Sequence, residues 1–367
     1  MTNQDALKVA IVGLRHGHVG SIGPEKPGLI HTFRHLEDAE VVAYCEDTET
    51  ARLDAAAEHD PGAGVYTSLD DLIANEDFDV ACVAMPASEI PATGIKLAEA
   101  GKHFFMEKQF ARRATDLAEL VRAVNKSGVK VLVGYPHRYH PVAQDIKRLI
   151  DEGIMGRPLD CEVRLITGQV RPENRDPNNF MYMNDTEGGG ILHMLGGHYL
   201  EVMRFLMDCE VKAVQAMSGR PVGIIDPPLE DISIAALEFE NGAYGSIHAG
   251  YLQRVRSVYD TSLVFRGLDG EADWTPIGDP HLKVKSGTPA WAGAPEKTFQ
   301  YEIADTKVPM YGPTEWSLDI MRDFFKCIRE DRQPDVNADV GLRVLQLIDA
   351  IYESSRTGRR VEVEYGV

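Results

Sequence analysis

Lys108 closes the run Phe104-Phe105-Met106-Glu107, an apolar segment that reads as a buried strand ending in a glutamate and a lysine. Open α/β sheets bind their ligands at the carboxyl ends of such strands. Burial there can retune a lysine into a proton donor or acceptor. A second group of chemically useful residues follows the first apolar run, Lys8-Val9-Ala10-Ile11-Val12, as Gly13-Leu14-Arg15-His16-Gly17-His18-Val19-Gly20. Against the dinucleotide pattern G-x-G-x-x-G, the first glycine fits, Arg15 takes the second place and His18 the third. The segment is either a plain surface turn or a phosphate loop in which the Arg15 guanidinium approaches a pyrophosphate by charge. Glu46 ends the next run, Val41-Val42-Ala43-Tyr44-Cys45. A carboxylate at that place bonds adenosine ribose hydroxyls and repels a 2′-phosphate, which favours NAD over NADP, and Asp47 could share the role. His16 and His18 form an HxH pair, but inside the nucleotide turn, so no metal is expected.

These residues need a scaffold, and the chain is long enough to supply one. Its 367 residues, 44% hydrophobic and 26% charged, predict a globular protein of two domains, divided as 1–135 and 136–367. A formal charge of -19 disfavours nucleic acid and anionic membrane as partners. No apolar run reaches membrane-spanning length, and the opening residues lack the pattern of a signal peptide. The five cysteines are scattered and odd in number, as expected of small core residues in a reducing compartment, so the location expected is cytoplasmic.

In the first half, strand-like runs at 40–45, 79–84, 103–107 and 129–133 alternate with helix-like stretches at 29–36, 49–58, 89–100 and 113–127. Gly101 and Gly128 stand where left-handed helix caps are expected. Such alternation predicts a doubly wound parallel sheet, a Rossmann domain. From about 159 onward, strand-like runs at 159–166, 211–217, 232–239, 243–251, 260–266 and 299–304 predict an α+β domain with a largely antiparallel open sheet. Asn241-Gly242 marks a hairpin, helices are expected at 190–207, 315–329 and 338–357, and 270–300 reads as a long loop.

Several segments, in order along the chain, resemble the Gfo/Idh/MocA family of NAD(P)-dependent sugar oxidoreductases. Ala84-Met85-Pro86 is similar to the family's A-T-P turn and Glu107-Lys108-Gln109 to its E-K-P turn. Gly134-Tyr135-Pro136-His137-Arg138-Tyr139-His140-Pro141 resembles G-[YF]-x-x-R-[FY]-x-P. Lys147-Arg148-Leu149-Ile150-Asp151-Glu152-Gly153 and Gly156-Arg157-Pro158 follow as in the family, and Gly188-Gly189-Gly190 with His198 matches the helix G-G-G-x-L-x-D-x-G-x-H. The end, Ala350 to Val361, is similar to the family's closing helix and turn. Two departures stand out in these motifs: Gln109 replaces a proline, and Met194 stands where the family has an acid.

The resemblance implies a bound NAD held by Gly13, Arg15, His16, Glu46, Met85, Pro86, Glu107, Lys108 and Arg138. It implies His198 as the base that takes a hydroxyl proton, with Lys108 polarising the same hydroxyl. Candidate substrate-binding residues are Lys108, Tyr139, Arg175, Tyr182, Asn184, Asp185, His193 and His198. In a regular helix, His193 would lie about 140° round from His198. Arg164, Arg171 and Arg175 suggest an anionic substrate group, or else pairing with surface acids. The leading expectation is an NAD-dependent oxidoreductase acting on a secondary hydroxyl of a sugar, polyol or glycoside. Alternatives are an NAD-dependent glycosidase that oxidises, eliminates and re-reduces, and a non-enzymatic sugar or nucleotide sensor. The family resemblance also implies a homodimer or homotetramer, assembled through the open sheet face.

Overall fold

The computed structural model describes residues 6–23, 25–170, 179–255, 259–276, 281–301 and 315–367. Contacts divide the chain into a unit of Met1–Gly134 with Val308–Leu342 and Val367, and a unit of Tyr135–Lys307 with Arg343–Gly366.

In the first unit, six parallel strands run in the order β3-β2-β1-β4-β5-β6. They are β1 (Leu7–Val12), β2 (Ala39–Cys45), β3 (Gly64–Tyr66), β4 (Val80–Val83), β5 (His103–Met106) and β6 (Val131–Val133). This is the doubly wound order, with its switch point between β1 and β4, where ligands bind. Val9–Val12, Val80–Val83 and Phe104–Met106 are buried, as parallel strands covered on both faces must be. Register brings four strand ends into line. Val12 pairs with Val83, Val83 with Met106 and Met106 with Val133, so Gly13, Ala84, Glu107 and Gly134 follow at one edge.

The covering helices are α1 (Leu29–Arg34), α2 (Arg52–His59), α3 (Leu69–Asn75), α4 (Ile90–Glu99) and α5 (Ala114–Ser127). Gly128 at φ 77° ends α5 and Gly101 at φ 71° follows α4, both as expected. The short edge strand β3 and helix α3 were not expected. Val65 is exposed and its two neighbours half-buried, so β3 carries no apolar run to read. Further cover comes from distant sequence: α9 (Glu315–Arg329) meets α1 through Phe325 stacked on Phe33, and Arg329 pairs with Asp38. A single cut at 135 had left this segment with the second half.

In the second unit, nine strands run β14-β13-β12-β11-β7-β10-β9-β8-β15. They are β7 (Pro158–Thr167), β8 (Val211–Gly219), β9 (Ile232–Phe239), β10 (Tyr244–Gly250), β11 (Tyr259–Gly267), β12 (Gly270–Trp274), β13 (His281–Ser286), β14 (Glu296–Gln300) and β15 (Val361–Glu362). All neighbours are antiparallel except β7 and β10. The β9–β10 hairpin turns at Gly242, φ 82°, with the Ala243 amide donating to Asn241 Oδ1 at 3.0 Å.

The loop expected at 270–300 is instead β12, β13 and β14, a meander whose glycine- and proline-rich turns conceal short strands. Leu282 and Val284 point inward while Lys283 and Lys285 face out, a period-two pattern that marks a strand.

Helices of this unit are α6 (Pro141–Asp151), α7 (Asn184–Glu187), α8 (Gly197–Met207) and most of α10 (Ala338–Thr357). A π-helical turn, Leu192–Gly196, leads directly into α8. Such turns are rare and recur at functional sites.

Candidate active site

The edge of the first sheet is built around residues one step beyond their strands. Gly13 has φ 87°, and a Cβ there would lie 2.5 Å from the Ala84 oxygen and 3.0 Å from Met85 Cβ. Only glycine fits this crossing of β1 and β4. Met85 is buried, accepting a hydrogen bond from Thr93 Oγ1 at 3.3 Å, and the Pro86 oxygen accepts from the Glu89 and Ile90 amides before α4.

Glu46 lies where a ribose-binding acid was expected, yet both of its oxygens serve the protein. Oε2 accepts from the Leu14 amide at 2.8 Å, and Oε1 from the Thr48 and Glu49 amides at 3.0 and 3.1 Å. The neighbouring Asp47 side chain is 61% exposed. Arg15 turns toward these acids: its Nε is 3.1 Å from Glu46 Oε1, and its Nη2 is 2.5 Å from Glu89 Oε2 and 3.9 Å from Asp47 Oδ1. The guanidinium expected at a pyrophosphate is thus engaged in a carboxylate cluster.

At the neighbouring strand end, Lys108 is 3% exposed, the peptide bond to Gln109 is cis, and Gly134 leaves room for Glu107 and the Lys108 amide. Burial pushes the Glu107 carboxyl up to about 8, although the Lys108 cation pulls it the other way. His18 Nδ1 lies 3.0 Å from Glu107 Oε1. His16, 4% exposed, is held neutral, its pKa lowered to about 3 by burial and by Lys108 and Lys26. The structure therefore gathers His16, His18, Glu107 and Lys108, whereas the sequence reading placed the histidines in the phosphate turn alone.

In the second unit, His198 opens α8 and is 8% exposed. Its ring stacks on His137 at 5.0 Å and meets Tyr135 edge-on at 5.4 Å. His137 is held neutral by burial, at about 4. The π-turn changes the expected placement of His193. In a turn closed by i→i+5 bonds, residues five apart lie above one another, so the separation of about 140° does not apply across Leu192–Gly196. His193 is buried against Gly189, where a Cβ would meet His193 Cβ at 2.4 Å.

Met194, at the family's acid position, accepts from Tyr251 Oη at 3.0 Å and lies 4.0 Å from Gln169 Nε2. Tyr259 in turn donates to Gln169 at 2.8 Å. Polar donors thus approach a buried thioether.

Glu230 was not expected at all. Its carboxylate accepts from the Gly190 and Leu192 amides at 2.8 and 2.9 Å and from Tyr352 Oη at 3.1 Å, holding the start of the histidine helix. A Cβ on Gly190 would sit 2.0 Å from the Glu230 backbone oxygen, so this glycine lets the two segments pack closely. The only signal was an acid before the apolar run of β9.

Arg138, expected at the cofactor, pairs with buried Glu201 at 2.5 Å and lies over the Phe205 ring at 4.8 Å. Tyr139 is half-buried in the turn His137–Tyr139, and Tyr182 is buried beside Tyr251. Asn184 and Asp185 begin α7, Asp185 being exposed. Arg175 and Arg171 lie outside the described residues. Arg164 pairs with Asp260 at 2.8 Å on the exposed sheet face, which is the bland alternative for that arginine.

Comparison with known proteins places these features in a family. The model of the oxidoreductase family NAD-binding Rossmann fold matches residues 7–135, and that of the GFO/IDH/MocA C-terminal domain matches 143–273. The chain belongs to the Gfo/Idh/MocA family. D-apiose dehydrogenase of Paraburkholderia graminis is 26% identical over 91% of this chain and 86% of its own length. D-glucoside 3-dehydrogenase of Escherichia coli is 24% identical over 97% of both. The solved structure of levoglucosan dehydrogenase with NADH and levoglucosan has the same fold, with a TM-score of 0.83 at 22% identity over 98% of this chain and 100% of that one.

The family's cofactor is NAD, and the residues present fit it. The switch point of the sheet lies between β1 and β4, where Gly13 leaves a crossing free of side chains and Glu46 and Asp47 follow β2.

Proposed function

We propose that the protein is an NAD-dependent dehydrogenase acting on a secondary hydroxyl of a sugar, polyol or glycoside. The observation that carries this reading is Lys108, buried beside Glu107 at the carboxyl end of β5 in a Rossmann sheet. Bound nicotinamide supplies a hydride acceptor. Lys108 Nζ holds the substrate oxygen and stabilises the charge that develops on it when its proton leaves. His198 takes that proton, its ring oriented by the stacked His137 and by Tyr135. Met194 stands in the acid's place and accepts a hydrogen bond from Tyr251 Oη.

NAD selection rests on Asp47 as the ribose ligand, with Glu46 shaping the loop behind it. Tyr182, Asn184, Asp185 and His193 are proposed to border the sugar. The characterised relatives named D-apiose dehydrogenase and D-glucoside 3-dehydrogenase support the substrate class. Exposed Met217, Ile234 and Tyr244 on adjacent strands of the second sheet support assembly as a homodimer or homotetramer through that face. Five free cysteines suit a reducing cytoplasm, and no described helix is long and apolar enough to cross a membrane.

The test is a panel of neutral and anionic sugars and their nitrophenyl glycosides, incubated with enzyme and NAD while NADH and phenol are followed. NADH without phenol supports the dehydrogenase. Phenol release that requires NAD but leaves no net NADH would replace it with the redox glycosidase. NAD binding with neither signal would leave a sensor.

A further inference from the structure

We propose that His16, His18 and Glu107 form a binding site for one divalent transition-metal ion, zinc in the first instance, at the edge of the first sheet beside Lys108. One ligand atom from each residue lies within 4.8 Å of the other two. The site stands on the geometry of the first unit and does not depend on the substrate reading.

The two histidines occupy a tight turn, closed by the Val19 amide donating to the His16 oxygen at 3.1 Å. Within it, the His18 amide donates to His16 Nδ1 at 3.2 Å, which pins that ring. The imidazoles meet edge-on, 4.4 Å apart at 75°, so neither ring covers the other's nitrogens. The third ligand arrives from a different element. Glu107 begins beyond β5, and its Oε1 reaches His18 Nδ1 at 3.0 Å. Its other oxygen, Oε2, is buried without a hydrogen-bond partner. A buried acceptor left unpaired is unfavourable, and a bound cation would satisfy it. Tetrahedral bonds of ~2.1 Å place ligand atoms about 3.4 Å apart, so modest side-chain rotations close the cluster.

The donor set selects the metal. Two imidazoles and one carboxylate match three-ligand zinc sites, which keep a fourth position open for water or a substrate oxygen. Calcium and magnesium want six or more oxygens. The Lys108 cation opposes any dication here, zinc included, so occupancy must come from imidazole donor strength, which favours zinc, cobalt, nickel and copper. An ion held there polarises an oxygen in its open position, as a Lewis acid does.

The test needs neither NAD nor sugar. Protein stripped with chelator is dialysed against Co2+ or Zn2+, and bound metal is measured by elemental analysis, by the visible absorption of Co2+ and by the metal-dependent rise in melting temperature. One Co2+ per chain is expected, displaced by Zn2+. His18→Gln and Glu107→Gln should each weaken binding by at least about 10-fold, a loss that removal of one ligand of three readily produces. The exposed His59→Gln should leave binding unchanged. Circular dichroism checks that each variant folds, and the wild-type stoichiometry and stabilisation stand if one does not. The proposal is overturned if wild-type protein holds no stoichiometric metal, or if the double variant His16→Gln/His18→Gln retains one equivalent with the same spectrum.

Discussion

Replacing Glu230 by alanine removes the carboxylate that fixes the start of the histidine helix. The side chain is 6% exposed, and its oxygens accept from the Gly190 amide at 2.8 Å, the Leu192 amide at 2.9 Å and Tyr352 Oη at 3.1 Å. Alanine strands two buried amides, each costing roughly 1–3 kcal/mol. Water entering the vacated space offsets part of this, leaving about 2–5 kcal/mol. For a unit of this size, each kcal/mol lowers the melting temperature by roughly 2–4 °C, so the drop should be about 4–20 °C. Glu230→Gln keeps the volume and one acceptor and should lose about half as much. The assay is thermal unfolding by circular dichroism, paired with NAD titration of the folded protein, because NAD binding belongs to the other unit. A melting temperature within about 2 °C of wild type in Glu230→Ala would refute the role assigned to this carboxylate.

Other perturbations follow the same logic. Gly13→Ala places a Cβ 2.5 Å from the Ala84 oxygen at φ 87° and should lower stability by several kcal/mol, on the order of other strained core changes, and weaken NAD binding by calorimetry. Normal NAD affinity in a stable variant would contradict the tight crossing. Asp47→Asn should weaken NAD and narrow its advantage over NADP, whereas Glu46→Gln should act mainly on stability through its three amide bonds. The reverse pattern in paired NAD and NADP titrations would return the ribose to Glu46. His140, which caps α6 through Nδ1 and packs on Trp274, stays neutral to about 3, and His137 to about 4. Unfolded imidazoles protonate near 6.5, so below that pH the unfolded chain binds more protons, and stability should fall as pH drops from about 6.5 toward 3–4. His140→Asn, which keeps a capping acceptor, should move the acid-unfolding midpoint lower, and an unmoved midpoint would exclude His140 as a source of acid sensitivity.

The parts of this structure that were legible in sequence are those governed by local pattern. Val9–Val12 and Phe104–Met106 are fully buried runs, and burial on both faces leaves an unbroken apolar signature. The position of Lys108 just beyond β5 and of His198 in α8 was legible because their neighbours form motifs. Interactions closed over long sequence distances could not be read. The ion pairs of Arg138 with Glu201 and of Arg15 with Glu89 join residues 63 and 74 positions apart. The histidine pair gains a third member only when β5 brings Glu107 to the turn. Strands β12, β13 and β14 were hidden by their turns, and the π-turn before α8 leaves no mark in hydrophobic period. Glu230 was invisible because its partners lie 38 and 40 residues away.

The most direct test of the central claim is NADH formation by Lys108→Ala on a sugar that the wild-type protein oxidises, measured beside NAD affinity. The account predicts a fall in kcat of about 10²–10⁴, the range for a lost proton-transfer or charge-stabilising group, with NAD still bound. A variant that turns over at the wild-type rate would remove Lys108 from the chemistry and contradict the reading.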